Sequence, residues 1–179
     1  VAQKQKITSS NMEDRDIIAM ARDDMDAVVQ VFFVREGKLI GRDHFRMSVA
    51  TAETKGQILS SFVKQFYAGT PFLPKELWVQ YELEDMELIG QWLSARKGQK
   101  VRITVPKKGD KERLVELAEK NAALVLIQDN ERNKREEMRT IGAMNQVAQW
   151  LGLENVRRME AFDISNAILA HCNLCLPGS

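Results

Sequence analysis

The run Val28-Val29-Gln30-Val31-Phe32-Phe33-Val34 is apolar at every position except Gln30. Successive side chains of a strand point to opposite faces, so a strand of this composition must be covered on both sides. It therefore belongs at the centre of a sheet that carries helices. The neighbouring segments supply the sheet. Asp16 to Arg22 reads as a short strand through Ile17-Ile18-Ala19-Met20-Ala21. Arg35-Glu36-Gly37-Lys38 reads as a tight turn, with Gly37 free to take a positive φ. Leu39 to Met47 reads as a third strand, with Arg42, His44 and Arg46 on one face and Leu39, Phe45 and Met47 on the other. That half-exposed pattern suits a sheet edge.

The period then changes. Ile58, Leu59, Phe62, Val63, Phe66 and Tyr67 recur at helical spacing, predicting a helix from Lys55 to Ala68 that Gly69-Thr70-Pro71 ends. Leu77 to Leu83 returns to alternation. A second helix is expected from Asp85 to Lys97, burying Leu88, Ile89, Trp92 and Leu93, with Gly98 as its stop. Val101, Ile103 and Val105 make a further strand. Pro106 to Asp110 forms a loop, and Asp110 is expected to cap a third helix carrying Leu114, Leu117 and Ala118. The resulting order is β-β-β-α-β-α-β-α, a mixed sheet covered by helices. It is the order of an RNase H-like domain, although a generic α/β domain gives the same string.

From Gln128 to Arg139 the chain is almost wholly charged or amide, "QDNERNKREEMR", which reads as a solvated helix end or a linker. Met144, Val147, Ala148 and Leu151 then recover helical spacing. They lead to a short strand, "RRMEAFDIS" at 157–165, with an acid near its end. The expected organisation is a linker at 1–14, an α/β domain at 15–128, and a charged linker with a short helix at 129–154. One strand of a second domain follows at 155–166, then an unrelated tail at 167–179.

Composition excludes several classes. Hydrophobic residues at 44% and charged residues at 28% are ordinary globular values. The net charge of +1, from 26 basic and 25 acidic residues, does not announce a nucleic-acid binder, so such a surface must come from local clustering. No apolar run approaches the roughly 20 residues that span a bilayer. The polar start "VAQKQKITSS" has no signal-peptide core. The only cysteines, Cys172 and Cys175, lie in the tail, so a reducing, cytoplasmic setting is expected. His171 beside them does not complete a zinc set, which needs four ligands.

The stretches "RDIIAMARDD", "VVQVFFVREGKLIGRDHF", "LPKELWV", "KKGDKERLVELAEKNA" and "GAMNQVAQWLGL" occur in that order. Together with "RRMEAFDIS" they resemble the middle of the UvrC family, the incising component of excinuclease ABC in bacterial nucleotide excision repair. The resemblance covers about Val1 to Asn166 and ends there. The closing "AILAHCNLCLPGS" resembles translated Alu-type repeat and reads as a junction artefact, with a natural variant tail as the alternative. The resemblance implies a central fragment of a longer parent.

In that parent, Asp163 would be a metal-binding acid of the site that cuts 5′ to a lesion, using divalent Mg or Mn. No cofactor is expected for this piece alone. The implied partners are the B component of the excinuclease, damaged duplex DNA and neighbouring nuclease domains of the same chain, with no membrane. The first domain is expected to be a catalytically inactive relative of the nuclease fold. Its first strand carries Ile17, Ala19 and Ala21 where an acid would be needed, and Asp16 and Asp23 at its ends read as solvent-facing. Lys107, Lys108, Lys111 and Arg113 cluster at the start of the third helix, and Arg42, His44 and Arg46 form a second stripe. Both suit phosphate contacts, and both also read as plain solvated surface. The expected function is therefore a non-catalytic platform that positions nuclease domains and DNA. A protein-interaction module without DNA contact is the alternative. A small-molecule enzyme ranks last, for want of a phosphate loop or a nucleophile–base pair.

Overall fold

The structure, a computed structural model, describes residues 13–154 together with 156, 158 and 160. The expected strand around Asp163, the two cysteines, the tail and all but the end of the 1–14 linker lie outside the described residues. The chain divides into two compact units, with the boundary after Arg132. Three antiparallel strands open the first unit: β1 (Arg15–Arg22), β2 (Asp26–Arg35) and β3 (Lys38–Ser48). Then come α1 (Lys55–Gly69), β4 (Glu76–Val79), α2 (Met86–Lys97), β5 (Arg102–Thr104) and α3 (Asp110–Trp150). The predicted order of elements is the observed one. Strands lie in the order β3-β2-β1-β4-β5, with β1–β4 and β4–β5 parallel.

Alternation along the central strands builds two cores. Ile18, Met20, Val29, Val31, Leu77 and Val79 face α1 and α2, where they meet Ile58, Leu59, Phe62, Val63, Ile89 and Leu93. Ile17, Ala19, Phe32, Val34 and Trp78 face α3 and meet Val115 and Ala118, while Val28 meets Ala122 and Leu126. Gln30, the single polar residue of the founding run, is buried, and its Nε2 donates to the Asp43 carbonyl at 2.7 Å. Its amide is thus satisfied across the β2–β3 ladder.

The β2–β3 turn takes Glu36 at φ 51° and Gly37 at φ 72°, the two positive values that match hairpin twist. A bulge follows, because Phe33 pairs with Gly41 while Val34 pairs with Leu39. Ile40 is the extra residue and is 65% exposed. This corrects the single-face expectation for β3. The bulge shifts parity, so Leu39 packs on the α3 side while Phe45 and Met47 pack on the α1 side.

Two further expectations change in the α2 region. β4 stops at Val79 rather than running to Leu83, and Gln80 instead turns its Oε1 to accept the Met20 amide at 2.8 Å. Of the four apolar residues expected inside α2, Ile89 and Leu93 are buried, but Leu88 is 62% and Trp92 37% exposed. They border an open depression beside Lys64 of α1. Gly98 ends the helix at φ 72° as predicted.

α1 begins with a reciprocal cap: Thr54 Oγ1 accepts the Gln57 amide and Gln57 Oε1 accepts the Thr54 amide. In its first turn, a Cβ on Gly56 would sit 2.6 Å from the Glu82 carbonyl oxygen. Backbone cannot yield as a side chain does, so Gly56→Ala is expected to destabilise the domain by about 1–3 kcal/mol. Chemical denaturation checks this. A neutral Gly56→Ala would mean that the close approach of α1 to the loop after β4 does not hold.

α3 also differs from expectation. The sequence leaves the stretch after Gln128 as a solvated helix end or a linker before a short helix, whereas one helix runs through to Trp150. Residues 131–143 are exposed, as a solvated face should be. Polarity alone does not stop a helix; this stretch has no proline, and its first glycine is Gly142. The helix ends where Gly152 takes φ 65° and its amide reaches the Gln149 carbonyl. At the other end the cap is Gly109, at φ 79°, whose carbonyl accepts the Arg113 amide. Asp110 is the first helical residue, and its carboxylate pairs with Arg113 at 3.3 Å.

Candidate nucleic-acid interface

A nuclease centre would need acids converging from several strands, and the acids here are engaged otherwise. Asp16, which the sequence places toward solvent, is 1% exposed. Its even position on β1 turns it to the α1 side, where Tyr67 Oη donates to Oδ2 at 2.7 Å and Arg35 Nη1 reaches Oδ1 at 2.6 Å. Burial pushes the Asp16 carboxyl above its ordinary range, against the Tyr67 and Arg35 bonds, which lower it. The Tyr67 phenol is driven well above its usual value, first by burial and then by the Asp16 charge.

Asp23 accepts from Asn130 Nδ2 at 2.7 Å and from the amides of Asp26 and Met25, so its carboxyl is held below the ordinary range. It closes the β1–β2 turn and ties it to α3. Glu82 is exposed beyond the end of β4. Among the described residues no group of three or more His, Cys, Asp or Glu is placed to hold a metal ion. The described residues therefore do not fit a divalent metal, and Asp163 lies outside them.

The α3 N-terminus is the stronger surface. The loop after β5 delivers exposed Lys107 and Lys108, and Lys111 follows in the first helical turn. Lys111 Nζ stands 5.1 Å from the Trp78 ring centroid, and the Arg15 guanidinium carbon stands 4.6 Å from the same ring. Trp78 thus seats exposed Lys111 at a helix start, an arrangement that favours anions, while Arg15 on the same ring is itself buried. Asp110 and Glu112 in the same turn offset part of that charge.

The β3 stripe is weaker. Arg42 is exposed, but Arg46 pairs with Asp26 at 2.7 Å and reaches Asp129 at 3.9 Å, so its guanidinium is already neutralised and its pKa raised, chiefly by the Asp26 bond. Lys111 and Asp129 are both on α3, separated by about 27 Å at 1.5 Å per residue. The structure therefore keeps the two predicted basic groups apart rather than joining them. Sequence reading missed the Arg35–Asp16–Tyr67 triad and a group of cations around Phe72. Both are assembled from residues distant in sequence, and no local spacing signals them.

A five-stranded mixed sheet in the order β3-β2-β1-β4-β5, with α1 and α2 on one face and α3 on the other, defines an α/β domain of the RNase H-like class. Residues 14–129 match the family model described as the UvrC Ribonuclease H-like domain, and the chain belongs to that family. Curated relatives agree. UvrABC system protein C of Lachnospira eligens is 63% identical over 166 residues, 93% of this chain and 27% of the relative. Its counterpart in Clostridioides difficile is 47% identical over 166 residues, 92% of this chain and again 27% of the relative. The chain thus spans about a quarter of the length of these relatives. Among solved structures, a complex of PCNA with RNase HII from Archaeoglobus fulgidus matches at a TM-score of 0.39 and 12% identity, over 84% of this chain and 98% of that one. That superposition is too loose to argue from.

Proposed function

We propose that this chain is a non-catalytic platform of the incising component of nucleotide excision repair, presenting duplex DNA to nuclease domains carried elsewhere in the longer protein. The observation that carries the reading is a nuclease-type sheet whose first-strand acids, Asp16 and Asp23, are spent on structure, beside a basic helix start. Asp16 is locked by Tyr67 and Arg35, and Asp23 by a turn and Asn130. Lys107, Lys108 and Lys111 meanwhile cluster at the α3 N-terminus. In the intact protein, the B component of the excinuclease, damaged DNA and neighbouring nuclease domains would be its partners. Divalent Mg or Mn would serve an incision site that includes Asp163. A cytoplasmic setting follows from that role; among the described residues no helix is long and apolar enough to cross a membrane.

Titration of the chain into fluorescent duplex DNA at several salt concentrations tests this. Binding should weaken steeply with salt, with the log–log slope falling by about 0.9 for each lysine–phosphate contact removed. Combined Lys107→Glu, Lys108→Glu and Lys111→Glu should weaken binding at least about tenfold. No binding by the unaltered chain at low salt would overturn the reading.

A second reading, a docking module without DNA contact, is favoured by one observation. Leu88, Ile89 and Trp92 line an apolar depression of about 320 Å³ beside Lys64 and Asp85. On that reading the lysine reversals leave incision by the intact protein unchanged.

A further inference from the structure

The segment between α1 and β4 carries Phe72, 45% exposed, between buried Leu73 and exposed Pro71. Two elements bring cations to this one ring. The Arg35 guanidinium, from the end of β2, stands 4.4 Å from its centroid. Lys97 Nζ, from the last turn of α2, stands 5.7 Å away. Lys75 is exposed three residues on, and Arg96 reaches the same segment by donating to the carbonyls of Tyr67 and Thr70.

The segment itself is held in place. Lys97 Nζ also donates to the Leu73 carbonyl at 2.5 Å, and Leu73 and Pro74 are buried. The crowding of charge registers on Lys97, whose amine is held below its ordinary range by burial first, with Lys75 and Arg35 adding to it. Asp14 and Asp16 act the other way. Arg35 and Asp16 offset each other inside the protein, which leaves exposed Lys75 and Arg96 and half-buried Lys97 as the cations of this segment, with half-buried Asp14 acting against Lys97.

We infer that Phe72, backed by Arg35 and with Lys75, Lys97 and Arg96 beside it, is a stacking site for an unpaired base of single-stranded nucleic acid, the last three cations taking the adjoining phosphates. A fixed aromatic ring flanked by cations is the arrangement that binds single strands irrespective of sequence. The base must be unpaired, because a duplex keeps its base faces stacked on one another. A protein partner would call for a contiguous apolar patch, and here a single ring and a proline are ringed by charge. The site deepens the platform reading but uses none of the α3 residues, so the two stand or fall separately.

The test titrates the full chain into a fluorescein-labelled oligothymidylate of about twelve nucleotides, a length within the site size of small single-strand binders. Duplex DNA is measured in parallel. Phe72→Leu, which keeps apolar volume but loses the stacking face, should weaken single-strand binding about tenfold. Phe72→Tyr should restore it to within about twofold. Lys75→Glu, at an exposed position, should weaken binding and lower the salt slope by about 0.7. Single-strand binding that survives both Phe72→Leu and Lys75→Glu in folded protein overturns the inference. So does a chain that binds no oligothymidylate at low salt, which would give this face to a protein partner. Duplex binding without single-strand binding removes this site and leaves the platform reading standing. The converse result removes the duplex contact and leaves this site.

Discussion

Trp78→Ala is expected to lower the unfolding free energy by about 3–5 kcal/mol, the range for deleting a buried large aromatic. Trp78 is the largest fully buried side chain and joins β4 to α3 through Ile17, Phe32, Val115 and Ala118. Against a total stability of roughly 5–15 kcal/mol for a domain of this size, the loss takes a large share. Trp78→Phe is expected to cost far less, about 1 kcal/mol. The Trp78 indole Nε1 is buried without a hydrogen-bond partner among the described residues, so phenylalanine forfeits no bond there. It also keeps a ring beneath Arg15 and Lys111. Urea denaturation followed by far-ultraviolet circular dichroism separates the two. A phenylalanine variant as damaged as the alanine one would show that the indole nitrogen is bonded after all.

Arg35→Met is expected to cost about 3 kcal/mol at neutral pH, the low end for breaking a buried ion pair, because Arg35 retains some exposure while Asp16 has almost none. The loss should depend on pH, and its sign follows from Asp16. Burial already raises the Asp16 carboxyl, and Arg35 works to lower it. Removing Arg35 raises it further, so the variant's folded form takes up a proton before the unfolded chain does. Its stability should therefore rise as pH falls through the folded value toward the ordinary carboxyl value of 3.8. The gap to the unaltered protein is widest near pH 7 and narrows in acid. A gap independent of pH between about 4 and 7 would assign the cost to lost packing on Phe33 and Phe72 rather than to a stranded carboxylate.

Trp78 and Asp16 differ in how far the sequence reveals their surroundings. The seven-residue run from Val28 demands a central, doubly covered strand, because period-two burial leaves no other place for it. The helices α1 and α2 are legible for the same reason, from the spacing of Ile58 to Tyr67 and the stop at Gly98. Asp16 is misread because an acid at a strand end looks solvated. Only the pairing of β1 with β2 and the approach of α1 place Arg35 and Tyr67 upon it, 19 and 51 residues away.

Leu88 and Trp92 are misread because helical spacing shows which residues share a face without showing whether a neighbour covers it. The bulge at Ile40 is invisible because nothing in "KLIGRD" distinguishes a shifted register from a straight one. The lysines at 107, 108 and 111 can be found because they are neighbours in sequence. Arg35 and Lys97 over the Phe72 ring cannot, because they meet it only in space.

The central place of β1 has a kinetic consequence. One of its edges is satisfied by β2 across a short turn, from Arg22 opposite Ala27 outward. The other is satisfied by β4, and Gln80, which completes that edge at Met20, is 60 residues away along the chain. Closing the second edge carries the entropy of a long loop, whereas the first requires almost none. The Ile18 carbonyl and the Met20 amide look toward β4, so they wait on α1 and the strand that follows it. β1 thus completes its pairing only through the longest closure in the sheet, and during folding it passes through a stage as an unguarded edge.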